Sequence, residues 1–587
     1  MEFRKDLFRD ERNDDLNVVG KSVQRQDMLG HVTGRSPFFD DHAFEGLLHL
    51  KVVRSPHAHA RIRRIDVAEA ERAPGVKRVI RGADVPVNKN TLLSLINFGK
   101  DDEPTLAVDK VAYKGEPVVA IVAETEAQAL AARALVRVDY DPLPAVFDVE
   151  AALEPSAPVV NPTYPGNYFE YHDKYDHQKL RFGDVERAFA AAELIVEDRY
   201  QMSPIEHAPT ETNGSIAAPE QNDRYVVHSC AQGLFFSLGT AAKIVNLDSN
   251  RLHFIGGTVG GGFGGKVDSL TEPLSILGAM LTGRPVRYVL DREEEMLYGS
   301  PRGAERIYVK DGIMRDGRIV ARHIRSYFDA GAYTRLSSYA AIKCTAHVPG
   351  PYSIPNVASD IYVAYTNRCP STAMRGFGIT AVDFALEVHM DKGAEACGMD
   401  PMEFRILNAY RDGDMKPHRR VAKNTALIEC VQVAAEKARW PLSDHARRQS
   451  STTGGGGARA DIPATPIDEN GRIGRPESRK GQAVRTLPAG TTRIPLSKQP
   501  IMEGSTEGRA KPPAVPQYES YRPAAPDRPA APPPPAAAPA YQPPAYQPAA
   551  AAQPPAPASP AAPPPPAAPA PQHGAHRFSS IFGTRRR

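Results

Sequence analysis

A glycine-rich stretch, IGGTVGGGFGGKVDSL, occupies residues 255–270. The strand-like segment LHFIGGTV (252–259) leads into it, and the helix-like segment SLTEPLSILGAMLTG (269–283) follows. Pro273 falls in the first turn of that helix, where proline is tolerated. Because glycine has no Cβ, the backbone of such a connection can approach a flat or anionic ligand closely. The pattern therefore predicts a ligand-binding loop where a strand passes to a helix.

Two nucleotide-binding motifs match the glycine cluster only in part. Gly260, Gly262 and Gly265 satisfy the dinucleotide pattern G-x-G-x-x-G, but the only candidate for the acid expected about 20 residues later is Asp291, beyond the next strand. The P-loop pattern fails because Val267 occupies the position of the magnesium-binding hydroxyl. A glycine-rich turn that binds no ligand explains the stretch equally well when it is taken alone.

Composition and charge narrow the class of protein. The chain has 587 residues and a formal net charge of +3, which is too balanced to indicate nucleic-acid binding. Five scattered cysteines without a CxxC pair argue against a disulfide framework, a zinc site or an iron–sulfur cluster in this chain, and they favour a cytoplasmic location. The charged N-terminus, MEFRKDLFRDERNDD, does not resemble a signal peptide, and no apolar run approaches the ~20 residues of a membrane span.

Hydrophobic patterning predicts an α+β fold that begins with a small unit. Residues 1–19 form an N-terminal extension, and residues 20–150 form a compact unit of strands and a helix. Its strands are FEGLLHLKVVRS (44–55), EPVVAIVAE (116–124) and VRVDYDPLPAVFD (136–148), and its helix is TEAQALAARALV (125–136). His57 and His59 would share a face on an extended chain, but no third ligand type lies nearby, so we interpret both as structural.

A second folded segment, with longer strands and intervening helices, covers residues 165–445. A second glycine loop, in STAMRGFGITAVDF (371–384), again precedes a helix. Another helix is predicted in GMDPMEFRILNAY (398–410), with Asp400 as its N-cap and Pro401 as its first residue.

Apolar periodicity stops from residue 446 onward. A glycine- and arginine-rich segment is followed by proline- and alanine-rich stretches such as APPPPAAAPAYQPPAYQP. Such a composition buries too little apolar surface to offset its conformational entropy. Residues 446–587 are therefore predicted to be a disordered tail, with a polyproline II bias near its end.

Several motifs together resemble one family, the large, molybdopterin-binding subunits of the molybdenum hydroxylases, which include xanthine dehydrogenases, aldehyde oxidoreductases and carbon monoxide dehydrogenases. The motifs follow the family's order and spacing over residues 20–440. They are RSPHAHARI (54–62), YKGEPVVAIVAET (113–125), CAQG (230–233), GGTVGGGFGGK (256–266), GRPVRYVLDREEEML (283–297), AMRGFG (373–378) and DPMEFRILN (400–408). The resemblance implies an α/β-hammerhead domain over residues 20–150 and the first half of a molybdenum-cofactor-binding domain over residues 165–445.

The resemblance also implies cofactor-binding residues. Gln232 matches a glutamine near the oxo group of the metal. Gly262, Phe263 and Gly264 match a loop whose backbone lies against the molybdenum centre. Arg375 belongs to a second loop, which closes over the pterin. No side chain of this chain is expected to ligate the metal directly.

Four positions bear on the substrate. Phe377 matches an aromatic residue that flanks the substrate, and Arg302 matches a substrate-facing arginine of some members, with a solvated surface arginine as the alternative. Val267 stands where xanthine dehydrogenases carry a purine-recognising glutamate. The loop at 373–378 lacks the copper-binding cysteine of members that oxidise carbon monoxide. The resemblance therefore implies oxidation of an aldehyde or of an N-heterocycle-type carbon.

The rest of the family's machinery is expected outside this chain. Family members oxidise an electron-poor carbon with water and pass the electrons to iron–sulfur clusters and FAD, so an Fe–S small subunit and an FAD medium subunit are the implied partners. The cofactor is expected to be a dinucleotide form of molybdopterin. The catalytic glutamate lies, in full-length members, in a second half that has no counterpart in residues 446–587. A truncated or frameshifted inactive member is the alternative, and a separately encoded second half would restore the site.

Overall fold

A computed structural model describes residues 23–452, whose secondary structure mixes helices and strands as predicted. The strands are β1 (Leu48–Arg54), β2 (Ala60–Asp66), β3 (Val76–Arg81), β4 (Lys110–Val111), β5 (Pro117–Ala123), β6 (Arg137–Pro142), β7 (Gln178–Phe182), β8 (Leu194–Met202), β9 (Gly214–Glu220), β10 (Arg224–Ser229), β11 (Leu252–Gly256), β12 (Val286–Val289), β13 (Glu305–Ile313), β14 (Ile319–Gly331) and β15 (Val357–Tyr365). The helices are α1 (Met28–Val32), α2 (Ala68–Glu71), α3 (Glu126–Arg133), α4 (Val185–Ala191), α5 (Leu234–Val245), α6 (Glu272–Thr282), α7 (Arg292–Tyr298), α8 (Ser337–His347), α9 (Thr380–Cys397), α10 (Pro401–Asn408), α11 (Leu427–Ala438) and α12 (Asp444–Arg448).

A seven-stranded mixed sheet joins the two segments predicted from the sequence. Its order is β11-β10-β9-β12-β1-β5-β3, and helices α3 and α6 pack on it. Strand β5, PVVAIVA, is buried along its whole length, as a continuous apolar run is when both faces of a strand are covered. The junction is the parallel pair of β1 with β12, in which Leu48 lies opposite Val286. The predicted unit at 20–150 therefore shares its main sheet with the segment that follows.

The other two sheets are each confined to one segment. The five-stranded sheet, β7-β15-β14-β13-β8, lies in the second segment, and helices α8 and α9 pack on it. The three-stranded sheet, β4-β2-β6, lies in the first segment. The glycine-rich stretch begins at the end of β11, the edge strand of the large sheet.

Local sequence signals explain several helix boundaries. The side chain of Asp400 accepts hydrogen bonds from the amides of Met402 and Glu403, and Pro401 opens α10, so the predicted start of this helix is confirmed. Helix α6 begins at Glu272 with Pro273 in its first turn and ends at Gly283, whose φ of +66° is a left-handed cap.

Two predictions need correction or qualification. Strand β1 ends at Arg54 and β2 begins at Ala60, so His57 and His59 lie in a loop and not on a strand. Nδ1 of His59 is 2.5 Å from the carbonyl oxygen of Pro144, a structural contact. Over residues 23–452, no group of three His, Cys, Asp or Glu side chains could hold a metal ion.

The ordered chain continues past residue 446, where the tail was predicted to begin. Helix α12 spans Asp444–Arg448, and Ala446 is buried against α10 and α11. The remainder of the predicted tail, residues 453–587, and the predicted extension at 1–19 lie outside the described residues. No helix in the described part of the chain is long and apolar enough to cross a membrane.

Candidate cofactor-binding site

The side chain of Gln232 organises the first glycine loop. Its carbonyl oxygen Oε1 accepts hydrogen bonds from the amides of Gly264, at 2.9 Å, and Lys266, at 3.2 Å. Its own backbone amide donates to the carbonyl of Lys266 at 2.7 Å. The side-chain amide Nε2 makes no hydrogen bond with any described residue, and Gln232 is exposed. Gln232 therefore holds the loop with its acceptor Oε1 and leaves its donor Nε2 exposed beside the loop.

Two glycines of this loop leave no room for a side chain. A Cβ on Gly262 would lie 2.4 Å from Cδ of Gln232, and a Cβ on Gly264 would lie 2.4 Å from the carbonyl oxygen of Ala373. Gly264 also has a φ of +107°, and the neighbouring Phe263 takes a φ of +53°. At positions 262 and 264 the backbone thus packs directly against Gln232 and the second loop, which only glycine permits.

A buried ion pair closes the base of the same loop. Oε2 of Glu211 accepts from Nζ of Lys266 and from the amide of Gly260, both at 2.7 Å. The Lys266 side chain is fully buried, so its ammonium is not available to a phosphate, in agreement with rejection of the P-loop. Asp291 is the N-cap of α7, where its side chain accepts from the amide of Glu294. The lysine of the P-loop pattern and the acid of the dinucleotide pattern are thus both engaged within the protein.

The second glycine loop meets the first by a backbone hydrogen bond. The amide of Arg375 donates to the carbonyl of Phe263 at 2.8 Å. The loop then turns through Gly376 and Gly378, both with positive φ, into helix α9. The Arg375 side chain is exposed, and its guanidinium makes no hydrogen bond or ion pair with any residue in 23–452. The chain therefore carries a guanidinium that is unpaired among the described residues next to the backbone of residues 262–264.

An apolar wall adjoins the two loops. The Phe377 ring is half-buried, with its centroid 6.0 Å from that of Tyr339. Both rings pack in a cluster with Val267 and the buried side chains of Leu93 and Ala373. The wall offers no carboxylate at Val267, the position where the resemblance places one in xanthine dehydrogenases.

Arg302 is buried behind the second loop, which excludes the alternative of a solvated arginine. Its guanidinium donates to the carbonyl of Ser203 at 2.6 Å and contacts the sulfur of Met202. Its backbone pairs with Ile205 in an isolated bridge. In this structure Arg302 anchors the chain at 202–205.

Burial also decides the chemistry of Cys230, two residues before Gln232. The thiol is buried, and this burial raises the pKa of Cys230 to about 12. The group is therefore a protonated thiol at neutral pH and not a nucleophile.

Sequence reasoning did not identify Glu211 or His207, which lie in EHAPTETN at 206–213 between β8 and β9. Both side chains contact the glycine loops from residues distant in sequence, Glu211 through Lys266 and His207 through Ala373. The stretch carries no periodicity or motif of its own.

The groups in this cleft fit an anionic, oxygen-rich cofactor. The amide Nε2 of Gln232 and the guanidinium of Arg375 are donors without partners among residues 23–452, and both belong to the two glycine loops that pack against each other. Amide and guanidinium groups suit oxo and phosphate oxygens, and a guanidinium can bind such a group through two hydrogen bonds.

Such a fold and cleft define a molybdopterin-binding protein, and two family models agree with this class. The aldehyde oxidase and xanthine dehydrogenase a/b hammerhead domain matches residues 33–144, and the molybdopterin cofactor-binding domain matches residues 162–409. The chain belongs to the xanthine oxidase family of molybdenum hydroxylases, as a molybdopterin-binding large subunit.

Relatives of this chain differ in length. It is 32% identical over 427 residues to the nicotinate dehydrogenase large molybdopterin subunit of Eubacterium barkeri, covering 72% of this chain and 97% of that one. It superimposes on aldehyde oxidoreductase from Desulfovibrio gigas with a TM-score of 0.67 and 30% identity, covering 72% and 48% of the two chains. For quinoline 2-oxidoreductase from Pseudomonas putida the TM-score is 0.64 at 30% identity, covering 72% and 54%. The chain thus spans nearly all of one relative and about half of the other two.

Proposed function

We propose that this chain supplies half of the cofactor cleft of a cytoplasmic molybdenum hydroxylase that oxidises an aldehyde or an N-heterocycle-type carbon with water. The observation that carries the proposal is the meeting of the two glycine loops, which places the free donors of Gln232 and Arg375 beside one backbone cradle. The five cysteines all lie in the described residues and are free thiols, which supports a reducing compartment.

In this proposal the residues of the chain bind and orient the cofactor, and the bound molybdenum centre supplies the redox chemistry. Gln232 donates from Nε2 to an oxygen of the group, because its Oε1 is already held by the amides of Gly264 and Lys266. Arg375 binds an anionic or planar part of the pterin, which in a dinucleotide form would include phosphate oxygens. The two hydrogen bonds that Oε1 accepts keep the Gln232 side chain in one orientation, so its donor Nε2 is in place before the cofactor binds.

The apolar wall supports a flat, weakly polar substrate. Phe377 and Tyr339 offer ring surfaces, and Val267 cannot donate or accept a hydrogen bond. An aromatic aldehyde or an N-heterocycle would stack on this wall, whereas a purine would lose the partner for its ring nitrogens. Arg302 has no direct role in substrate contact in this proposal and acts through the segment that it anchors.

The remaining half of the cleft, with the catalytic glutamate, would come from a separately encoded chain. Support comes from the coverage figures: a relative named as a large subunit matches over 97% of its length, while aldehyde oxidoreductase matches over 48%. Helix α5, which begins two residues after Gln232, exposes 88% of Phe235 and 43% of Phe236. Apolar surface of this kind beside a cofactor site is typical of an interface. Iron–sulfur and FAD subunits would then carry the electrons away.

Molybdenum and pterin content tests the proposal. The chain is expressed in a host that makes the dinucleotide cofactor, alone and together with the products of adjacent genes, and molybdenum is measured per purified chain. We expect close to one molybdenum in the complex. Gln232→Ala should lower this several-fold, whereas Gln178→Ala, at the start of β7 and away from the cleft, should not.

Activity towards aldehydes and N-heterocycles is measured on the same preparations and should disappear when tungsten replaces molybdenum. Absence of molybdenum from both the lone chain and the complex would overturn the proposal and favour an inactive member of the family.

A further inference from the structure

The buried ring of His207 contacts both glycine loops. Its Nε2 lies 2.8 Å from the carbonyl oxygen of Ala373 in the second loop. Its ring packs on Gly265 of the first loop, where a Cβ would come within 2.8 Å of Nδ1. The His207 side chain is completely buried. The chain at 202–205, just before it, is held by Arg302, so the ring is anchored to the body of the protein.

The hydrogen bond to Ala373 fixes the tautomer of this histidine. A carbonyl oxygen only accepts, so Nε2 must carry the proton. Burial lowers the pKa of His207, which favours the neutral ring with its lone pair on Nδ1. That nitrogen is buried without a hydrogen-bond partner among residues 23–452, and Oε1 of Glu206, which has none there either, lies 3.9 Å away. The single donor of His207 is therefore committed to the second loop.

The position of Ala373 controls that of the cleft. The carbonyl oxygen of Ala373 touches Gly264, and two residues later the amide of Arg375 bonds to Phe263. The same carbonyl oxygen therefore meets both His207 and the first loop, so a shift of Ala373 would alter the contact between the two loops.

We propose that His207 is a positioning residue that holds the second glycine loop against the first and so sets the width of the cofactor cleft. Its use in cofactor binding rests on the proposed function, but the contact itself exists in the chain without cofactor. His207 does not touch the cofactor in this proposal and acts through Ala373.

Three variants separate a positioning role from simple packing. His207→Gln keeps an N–H group that can reach the carbonyl of Ala373, whereas His207→Phe and His207→Met fill the space without a donor. His59→Phe is the matched control, because His59 is also a buried ring bonded to a carbonyl, that of Pro144, in the first segment.

The first readout is amide hydrogen exchange of the cofactor-free chain, followed by mass spectrometry of peptides that cover residues 371–379. We expect exchange there to rise roughly fivefold to tenfold in His207→Phe, the effect of one lost hydrogen bond, and to stay near the wild-type rate in His207→Gln. His59→Phe should leave these peptides unchanged. Melting curves show which variants fold, and His207→Met replaces His207→Phe if the latter does not.

Wild-type exchange at 371–379 in both donor-free variants would overturn the proposal, and so would equal acceleration in the Gln and Phe variants. The second readout is molybdenum per chain in the complex, which should fall several-fold in His207→Phe and recover in His207→Gln. If exchange changes as expected but no preparation holds molybdenum, the contact stands and the proposed function fails.

Discussion

At the scale of single residues, the site depends on glycines that leave no room for a Cβ and on a buried ion pair at the base of the first loop. Gly264 combines a positive φ with direct contact to Ala373, and Lys266 is buried in an ion pair with Glu211. These two features differ physically. The first is a steric requirement, and the second is an electrostatic one in a region with little water.

Gly264→Ala should destabilise the chain more than a change at another glycine of positive φ. Gly283 has a φ of +66°, and no atom of residues 23–452 lies within 4 Å of the position that its Cβ would take, so Gly283→Ala introduces only backbone strain, about 1 kcal/mol. Gly264→Ala adds a clash with the carbonyl of Ala373, and we expect a total loss of about 2–4 kcal/mol in urea unfolding. Equal losses in the two variants would show that the loops can separate without cost.

Lys266→Met should be among the most destabilising single changes in the cleft. It leaves the Glu211 carboxylate buried without a cation, which typically costs about 3–5 kcal/mol. Adding Glu211→Gln should recover part of this loss, since the amide of Gly260 would still find an acceptor. Urea unfolding of both single variants and the double variant measures the coupling, and strictly additive effects would contradict it.

At the scale of secondary-structure elements, buried carboxylates join the hammerhead segment to the turn that follows β14. Glu116, just before β5, accepts from the hydroxyl of Tyr333 at 2.7 Å, and Asp102 accepts from the amide of Thr334 at 2.9 Å. Burial raises the pKa of Glu116 to about 7 and that of Asp102 to about 6. Both acids thus bond across the two segments in a site that disfavours their charged forms.

Stability should therefore decrease with rising pH through the range set by Glu116. In the unfolded chain its pKa is near 4.5, the ordinary value of a glutamate, and in the folded chain it is about 7. Between these values the unfolded state loses its proton first, so the free energy of unfolding falls as pH rises, and it levels off above the folded pKa. Glu116→Gln should reduce the slope of stability between pH 5 and pH 7, measured by urea unfolding.

The control for this pH dependence is Glu124→Gln. Glu124 is paired with Arg284 and Lys77, which lower its pKa to about 2, so its contribution changes only in more acidic solution. An unchanged slope in Glu116→Gln, or an equal change in both variants, would contradict the assignment.

At the scale of the whole molecule, local signals in the sequence predicted the elements but not their long-range partners. The N-cap at Asp400 and the strand-loop-helix order around residues 252–283 are encoded by neighbouring residues, and both were predicted correctly. The pairing of β1 with β12 and the contact of His207 with Ala373 join distant parts of the chain. No spacing or composition identifies such partners, because they depend on how the sheets come together. The fold class and the two glycine loops could be predicted from the sequence. The residues that hold the loops in place, His207 and Glu211, could not.

Because the large sheet spans both segments, residues 1–150 should not fold alone. Strand β1 would lose β12, leaving an unpaired edge on a strand rich in apolar residues. We expect this fragment to be insoluble or to lack cooperative unfolding by circular dichroism. A chain ending after residue 452 keeps every described element and should melt cooperatively at the temperature of the full chain. A soluble 1–150 fragment with a cooperative transition would contradict this expectation.

The pairing of β1 with β12 also bears on the order of events during synthesis. Strand β1 can pair with β5 soon after it leaves the ribosome, but its other edge must wait for a partner about 230 residues further along. At roughly 5–20 residues per second, this delay is about 10–50 s. Throughout that interval the nascent chain carries an open β edge, which gives a chaperone both the time and the surface to bind before the sheet closes.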